Sequence, residues 1–149
     1  MKLPGYLDPS FSPPAPSIYA QLESKVLQRR QTIAFLVDTG ASVTTVMDRD
    51  RERLGVEWNR LGATNRPLSG VGGTVDTRLI TDGLLVFKAA SGQMVKEKLV
   101  VHVARHDIAH LDSRGRELVL QLPSLLGRDV IERYRLIYDK RKSQVYLEE

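Results

Sequence analysis

Three groups of residues in this chain have types and spacings that could do chemistry. They are a single acid closing an apolar run, Asp38; three glycines within four positions, Gly70, Gly72 and Gly73; and three histidines recurring every fourth residue, His102, His106 and His110. Asp38 follows Ile33-Ala34-Phe35-Leu36-Val37 and precedes Thr39-Gly40-Ala41-Ser42. A short, partly β-branched apolar run closed by a turn dipeptide favours a buried strand over a helix. The acid then sits at a strand end, shielded on one side, where it must either accept hydrogen bonds or hold its proton more tightly. Thr39 adds a hydroxyl, and Gly40 adds a backbone that another chain or a ligand can approach closely. Taken alone, the turn needs to do no more than cap backbone amides.

The other two groups call for different chemistry. A glycine-rich loop can cradle phosphate, but Ser69-Gly70-Val71-Gly72-Gly73-Thr74 lacks the Lys-Ser/Thr that a phosphate-binding loop requires after it. On a helix, the three histidines would share a face and could ligate zinc. His102, however, ends a strand pattern, and Asp107 to Gly115 reads as loop, so exposed loop histidines are expected and neither a metal nor a cofactor is implied.

The elements that must position these residues read as mainly β. Ile18 to Glu23 alternates as a strand and pairs with the Asp38 strand in a hairpin; Val43 to Val46 is another short strand. Met47 to Gly55 reads as a charged helix with a glycine C-cap and a solvated face, Asp48 and Asp50 being possible N-caps. Pro67 to Arg78 centres on the glycines. Leu79–Phe87 and Lys96–Val103 form two strands around a turn at Ser91-Gly92, and Glu117 to Leu122 reads as a further strand. A second short helix is expected up to about Tyr134, capped by Asp129 or Ser124, followed by a terminal hairpin of Leu136–Tyr138 and Gln144–Leu147. Residues 1–16, rich in proline (Pro4, Pro9, Pro13, Pro14, Pro16), form an extended arm or tail, with one domain over 17–149.

Three segments in order carry a family resemblance. Leu36-Val37-Asp38-Thr39-Gly40-Ala41-Ser42 resembles the active-site signature of aspartic proteases in the single-domain, retropepsin-like form. Ser69 to Thr74 resembles the flap of the retroviral members, and Leu125-Leu126-Gly127-Arg128-Asp129 resembles their apolar-apolar-Gly-Arg segment before the C-terminal helix. The resemblance spans roughly residues 17 to 147. It implies a closed β-barrel with two short helices and one active-site half per chain, Leu125 to Gly127 lying beside the catalytic strand. It also implies a homodimeric endopeptidase in which one Asp38 from each subunit activates water, Thr39 bonds across the axis and Gly40 bonds the substrate. The flap residues Gly70, Val71, Gly72 and Gly73 would close over an extended polypeptide, while Ala41, Leu126, Gly127 and Arg128 support the acid. Retroviral members often place an aspartate two positions after the triad glycine to pair with that arginine; Ser42 stands there in this chain, leaving Arg128 to bond something else. A module of the same fold that binds peptides or dimerises without turnover is the alternative function.

Composition bounds these readings. At 149 residues and 42% hydrophobic, the chain suits one domain with a proper core, and it carries one copy of a triad that bilobed relatives carry twice. The net charge of +4 is spread among interspersed acids, which permits nucleic-acid binding without suggesting it. The lack of cysteine removes disulfides and thiolate metal sites. No apolar run approaches a membrane span and no signal peptide opens the chain, so no membrane partner and a cytoplasmic location are expected.

Overall fold

The computed structural model describes residues 1–64, 68–70 and 73–149. In chain order the strands are β1 (Lys2–Pro4), β2 (Tyr6–Asp8), β3 (Ala15–Ser24), β4 (Arg29–Val37), β5 (Thr45–Val46), β6 (Gly62–Ala63), β7 (Leu68–Gly70), β8 (Gly73–Lys88), β9 (Met94–Arg105), β10 (Ser124–Leu126), β11 (Arg135–Asp139) and β12 (Gln144–Glu148). Three α-helices interrupt them, α1 (Asp48–Leu54), α2 (Ser113–Gln121) and α3 (Arg128–Ile131), together with a 3-10 turn at Trp58–Arg60.

Alternation decides which strand faces are covered. Along β3 and β4 the inward residues Ile18, Ala20, Leu22, Ile33, Phe35 and Val37 are buried. They meet Ile80, Leu85, Phe87, Val101 and Val103 from β8 and β9 and Leu126 from β10 in one core. The larger sheet runs β2-β3-β4-β10-β5-β9-β8-β6, and β3 also pairs with β8 through Leu22↔Leu85. That second pairing returns the order to its start, so the strands form a ring rather than an open sheet. The expected β3–β4 hairpin, the β8–β9 pair and the terminal β11–β12 hairpin are all present.

The proline-rich start is extended and paired with its own chain. β1 lies against β12, β2 lies against β3, Leu3 is fully buried, and the Tyr6 ring stacks on Tyr19 at 5.0 Å. A Cβ on Gly5 would stand 2.6 Å from the Ser17 carbonyl oxygen, so the segment can cross between the two sheets only without a side chain there.

Three expectations need correction. Glu117–Leu122 is not a strand: it belongs to α2, which starts where the Asp112 carboxylate accepts the Gly115 amide at 2.8 Å. Leu118-Val119-Leu120 fits either period, and the cap together with the good helix formers around it decides for helix. The described residues therefore hold three α-helices where two were expected. The expected caps also fail. α1 and α3 begin without a side-chain cap bond, and Asp48, Asp50 and Ser124 are buried, bonding elsewhere. The Gly55 C-cap is as expected, left-handed at φ 69° and donating to the Arg51 carbonyl at 3.1 Å.

Candidate active site

β4 delivers Asp38 to the end of the ring, where its amide donates to the Leu126 carbonyl at 3.1 Å and extends the strand pairing by one bond. The chain then turns sharply, with the Ala41 amide donating to the Asp38 carbonyl at 3.2 Å and the Gly40 amide to Asp38 Oδ1 at 2.8 Å. One carboxylate oxygen is thereby held. Oδ2 accepts nothing from the described residues, and the side chain is half-buried while Thr39 and Gly40 are exposed. Such a group can take or give a proton at a bound water, although one carboxyl cannot do both in a single step.

The loop is fixed from behind by β10, parallel to β4 with Leu125↔Leu36 and Leu126↔Val37, and antiparallel to β5 with Leu125↔Thr45. Where β10 gives way to α3 the two chain segments touch, so that a Cβ on Gly127 would lie 2.4 Å from the Val43 carbonyl carbon. Only glycine fits there. The Gly127 amide donates to Thr44 Oγ1 at 3.1 Å, and Thr44 in turn donates through Oγ1 (2.7 Å) and its amide (3.0 Å) to the Asp129 carboxylate. The Arg128 amide donates to the Ala41 carbonyl at 2.9 Å. Its guanidinium lies 3.5 Å from the Thr39 carbonyl and 3.6 Å from Glu132.

The sequence does not point to Thr44 or Asp129 as site residues. The signal available is the position of Asp129 directly after Gly127-Arg128, which reads as a helix cap. The buried pair of Ser124 and Asp50 (2.6 Å), with the Met47 amide donating to Ser124 Oγ at 3.0 Å, braces the start of β10 in the same way.

The face of the sheet opposite the core also starts at this turn. Asp38 continues the alternation that sends Leu36 away from Phe35 and Val37, and the register aligns Leu36 with Leu125, Thr45, His102 and Leu79 across the strands. Leu36, Leu125, His102 and Leu79 are only half-buried. Burial pushes the His102 imidazole below its ordinary value despite the Asp129 charge, and its Nδ1 has no hydrogen-bond partner.

The remaining candidates fall as follows. Gly70 pairs with Gly73 at the tip of the β7–β8 hairpin; Val71 and Gly72 lie outside the described residues. Ala41 and Leu126 are in the Asp38 turn and beneath it. The histidines share no helix: His102 is on β9, His106 and His110 follow in a loop, and His106 is not an exposed loop residue but binds the buried Asp48, with Nδ1 2.5 Å from Oδ2. Among the described residues no group of three or more His, Cys, Asp or Glu is placed to hold a metal ion, and no helix is long and apolar enough to cross a membrane.

A scan against protein-family models and a search of curated proteins returned no match. Solved structures do match. A retropepsin-like aspartic protease from Rickettsia conorii is 23% identical over 88% of this chain and 89% of its own, with a TM-score of 0.52. EIAV protease is 19% identical over 80% and 86% (TM-score 0.44), and the retroviral protease-like domain of Ddi1 from Leishmania major is 15% identical over 87% and 90% (TM-score 0.41). At such identities the likeness speaks for architecture, and the first match carries it: the ring of strands, the acid-bearing turn and β10 seated between β4 and β5 together make this a retropepsin-like fold.

Proposed function

We propose that the chain is a homodimeric aspartic endopeptidase that cleaves extended polypeptides with water activated between one Asp38 from each subunit. The observation that carries this reading is the Asp38 turn: a half-buried carboxylate with one oxygen held by the Gly40 amide and the other open. Peptide hydrolysis needs a base to activate water and an acid to polarise the carbonyl in the same step. In aspartic proteases as a class, two carboxyls about 3 Å apart share one proton and divide those roles. A chain with one such acid therefore calls for a second copy. In that arrangement Thr39 would bond across the two-fold axis and Gly40 would meet the substrate backbone. The β7–β8 hairpin, Gly70 to Gly73, would act as a flap, adding strand-like hydrogen bonds to the peptide and excluding water. Ala41, Leu126, Gly127 and Arg128 would hold the turn in place, and no cofactor takes part.

The test is cleavage of a diverse peptide library by purified protein from mildly acidic to neutral pH. Wild type should yield products, and Asp38→Asn should remain folded and yield none. Equal cleavage by the variant would rule the assignment out. Wild type that binds extended peptides without cutting them at any pH would point instead to a silent binding module.

A further inference from the structure

Around the indole of Trp58 the fold gathers guanidinium groups from three elements. The Cζ atoms of Arg105 (β9), Arg78 (β8) and Arg51 (α1) lie 4.2, 5.6 and 6.0 Å from its ring centroid. Attraction to the ring face explains why any one of them is there. It does not explain all three, since like charges this close repel unless anions balance them.

Two carboxylates supply part of the balance. Asp76 Oδ2 pairs with Arg105 at 2.9 Å and Asp48 Oδ1 with Arg51 at 3.3 Å. Asp48 is shared, because its Oδ1 also accepts the His106 amide at 2.9 Å and its Oδ2 faces the His106 ring. Arg51 Nε is buried without a hydrogen-bond partner, and Arg78 has no carboxylate partner among the described residues. Three guanidiniums against two carboxylates leave one positive charge over, centred on Arg78.

The place matters as much as the charge. Asp76↔Arg105 and Arg78↔Val103 are registered pairs where β8 and β9 approach the β7–β8 hairpin, and Arg78 is five positions after Gly73. By alternation these side chains lie on the opposite face from Leu79 and His102. The cluster thus sits at the base of the hairpin but outside the face that starts at Asp38.

We infer that Arg51, Arg78 and Arg105, gathered on Trp58, form an exosite for a carboxylate side chain of the polypeptide substrate, outside the residues held over Asp38. This deepens the protease reading and rests on it for the identity of the ligand as substrate. A single surplus charge matches one carboxylate, which a guanidinium grips with two parallel hydrogen bonds. A nucleic-acid backbone asks instead for a track of uncompensated cations, and here acids alternate with the arginines.

Trp58 is the sole tryptophan of the chain, so its fluorescence reports on the cluster directly. The full-length Asp38→Asn protein is titrated at low salt with a glutamate-bearing peptide and with its glutamine twin. We expect saturable change with the acidic peptide, binding about fivefold weaker for the twin, and loss of that difference in Arg78→Gln and at high salt. Arg78→Lys should keep part of it, which separates charge from folding. In the wild-type enzyme the acidic peptide should show a lower KM at unchanged kcat, an advantage that Arg78→Gln removes. Equal binding of the twins, a difference that survives Arg78→Gln, or tighter binding of an oligonucleotide than of the acidic peptide would each overturn the exosite. Failure of wild type to cleave any peptide would sink the protease reading and leave the fluorescence result standing by itself.

Discussion

Asp38 owes its position to residues that never approach its carboxylate. Gly127 allows β10 and the Val43-Thr44 segment to come within contact, and Thr44 and Asp129 then lock that contact with hydrogen bonds to a carboxylate. An added methyl would overlap backbone atoms on a neighbouring segment, and backbone cannot rotate away as a flexible side chain can. Gly127→Ala should therefore cost about 3 kcal/mol, read as a lower urea midpoint at unchanged slope. Any activity should fall with it, because Asp38 loses its seat on the Leu126 carbonyl. Part of this is legible in the sequence, since Gly127 stands in an apolar-Gly-Arg run where the family resemblance implies a residue that supports the acid. Asp129 was legible only as a helix cap, since its true partner, Thr44, is far away along the chain and no local pattern links the two.

At the scale of elements, the turn joining β3 to β4 is held from a distance as well. β8 shifts register between Ile80 and Gly83, and the irregularity places Asp82 where its carboxylate accepts Ser24 Oγ at 2.6 Å and the Val26 amide at 3.0 Å. Burial pushes its proton affinity up, but the bonds from Ser24 and the backbone amides outweigh it and hold the carboxyl below its ordinary value of 3.8. A folded-state value below the unfolded one means that the charged form supports the fold. The contribution is present above pH 3.8 and is lost as pH falls through the lower folded value. Asp82→Asn should lower stability by about 1 kcal/mol at neutral pH and flatten the decline of the urea midpoint below about pH 4. A variant with an unchanged acid profile would contradict this linkage. α2 is specified more locally, by its Asp112 cap and helix-forming residues, although a helix of nine residues is marginal by itself and this one also packs against α1.

The whole molecule presents one acid turn at one end of a ring of strands, with β1, β11 and β12 in a separate small sheet that ties both termini together. If catalysis needs two such turns, activity must depend on association. Specific activity should fall on dilution into the range where sedimentation shows monomers. Mixing wild type with an equal amount of Asp38→Asn, followed by subunit exchange, should leave about a quarter of the dimers with both acids and activity reduced to match. Activity that stays proportional to wild-type concentration at every dilution and mixture would mean that a single chain suffices.

The sequence by itself determined the strand that ends in Asp38, the glycine-rich hairpin, the Leu125-Leu126-Gly127 segment and the mainly β character. Each of these is written in short-range alternation, in a turn residue or in a compact motif, and so can be read from neighbours along the chain. Only the tertiary structure decided that Thr44 and Asp129 clamp the acid turn, that Asp48 and Asp50 are buried partners of His106 and Ser124 rather than caps, and that three arginines meet on Trp58. The physical reason is common to all three. Hydrogen bonds and charges act across a few ångströms of space, and the residues that share them here are brought together by strand register and by the closing of the ring, which no local pattern encodes.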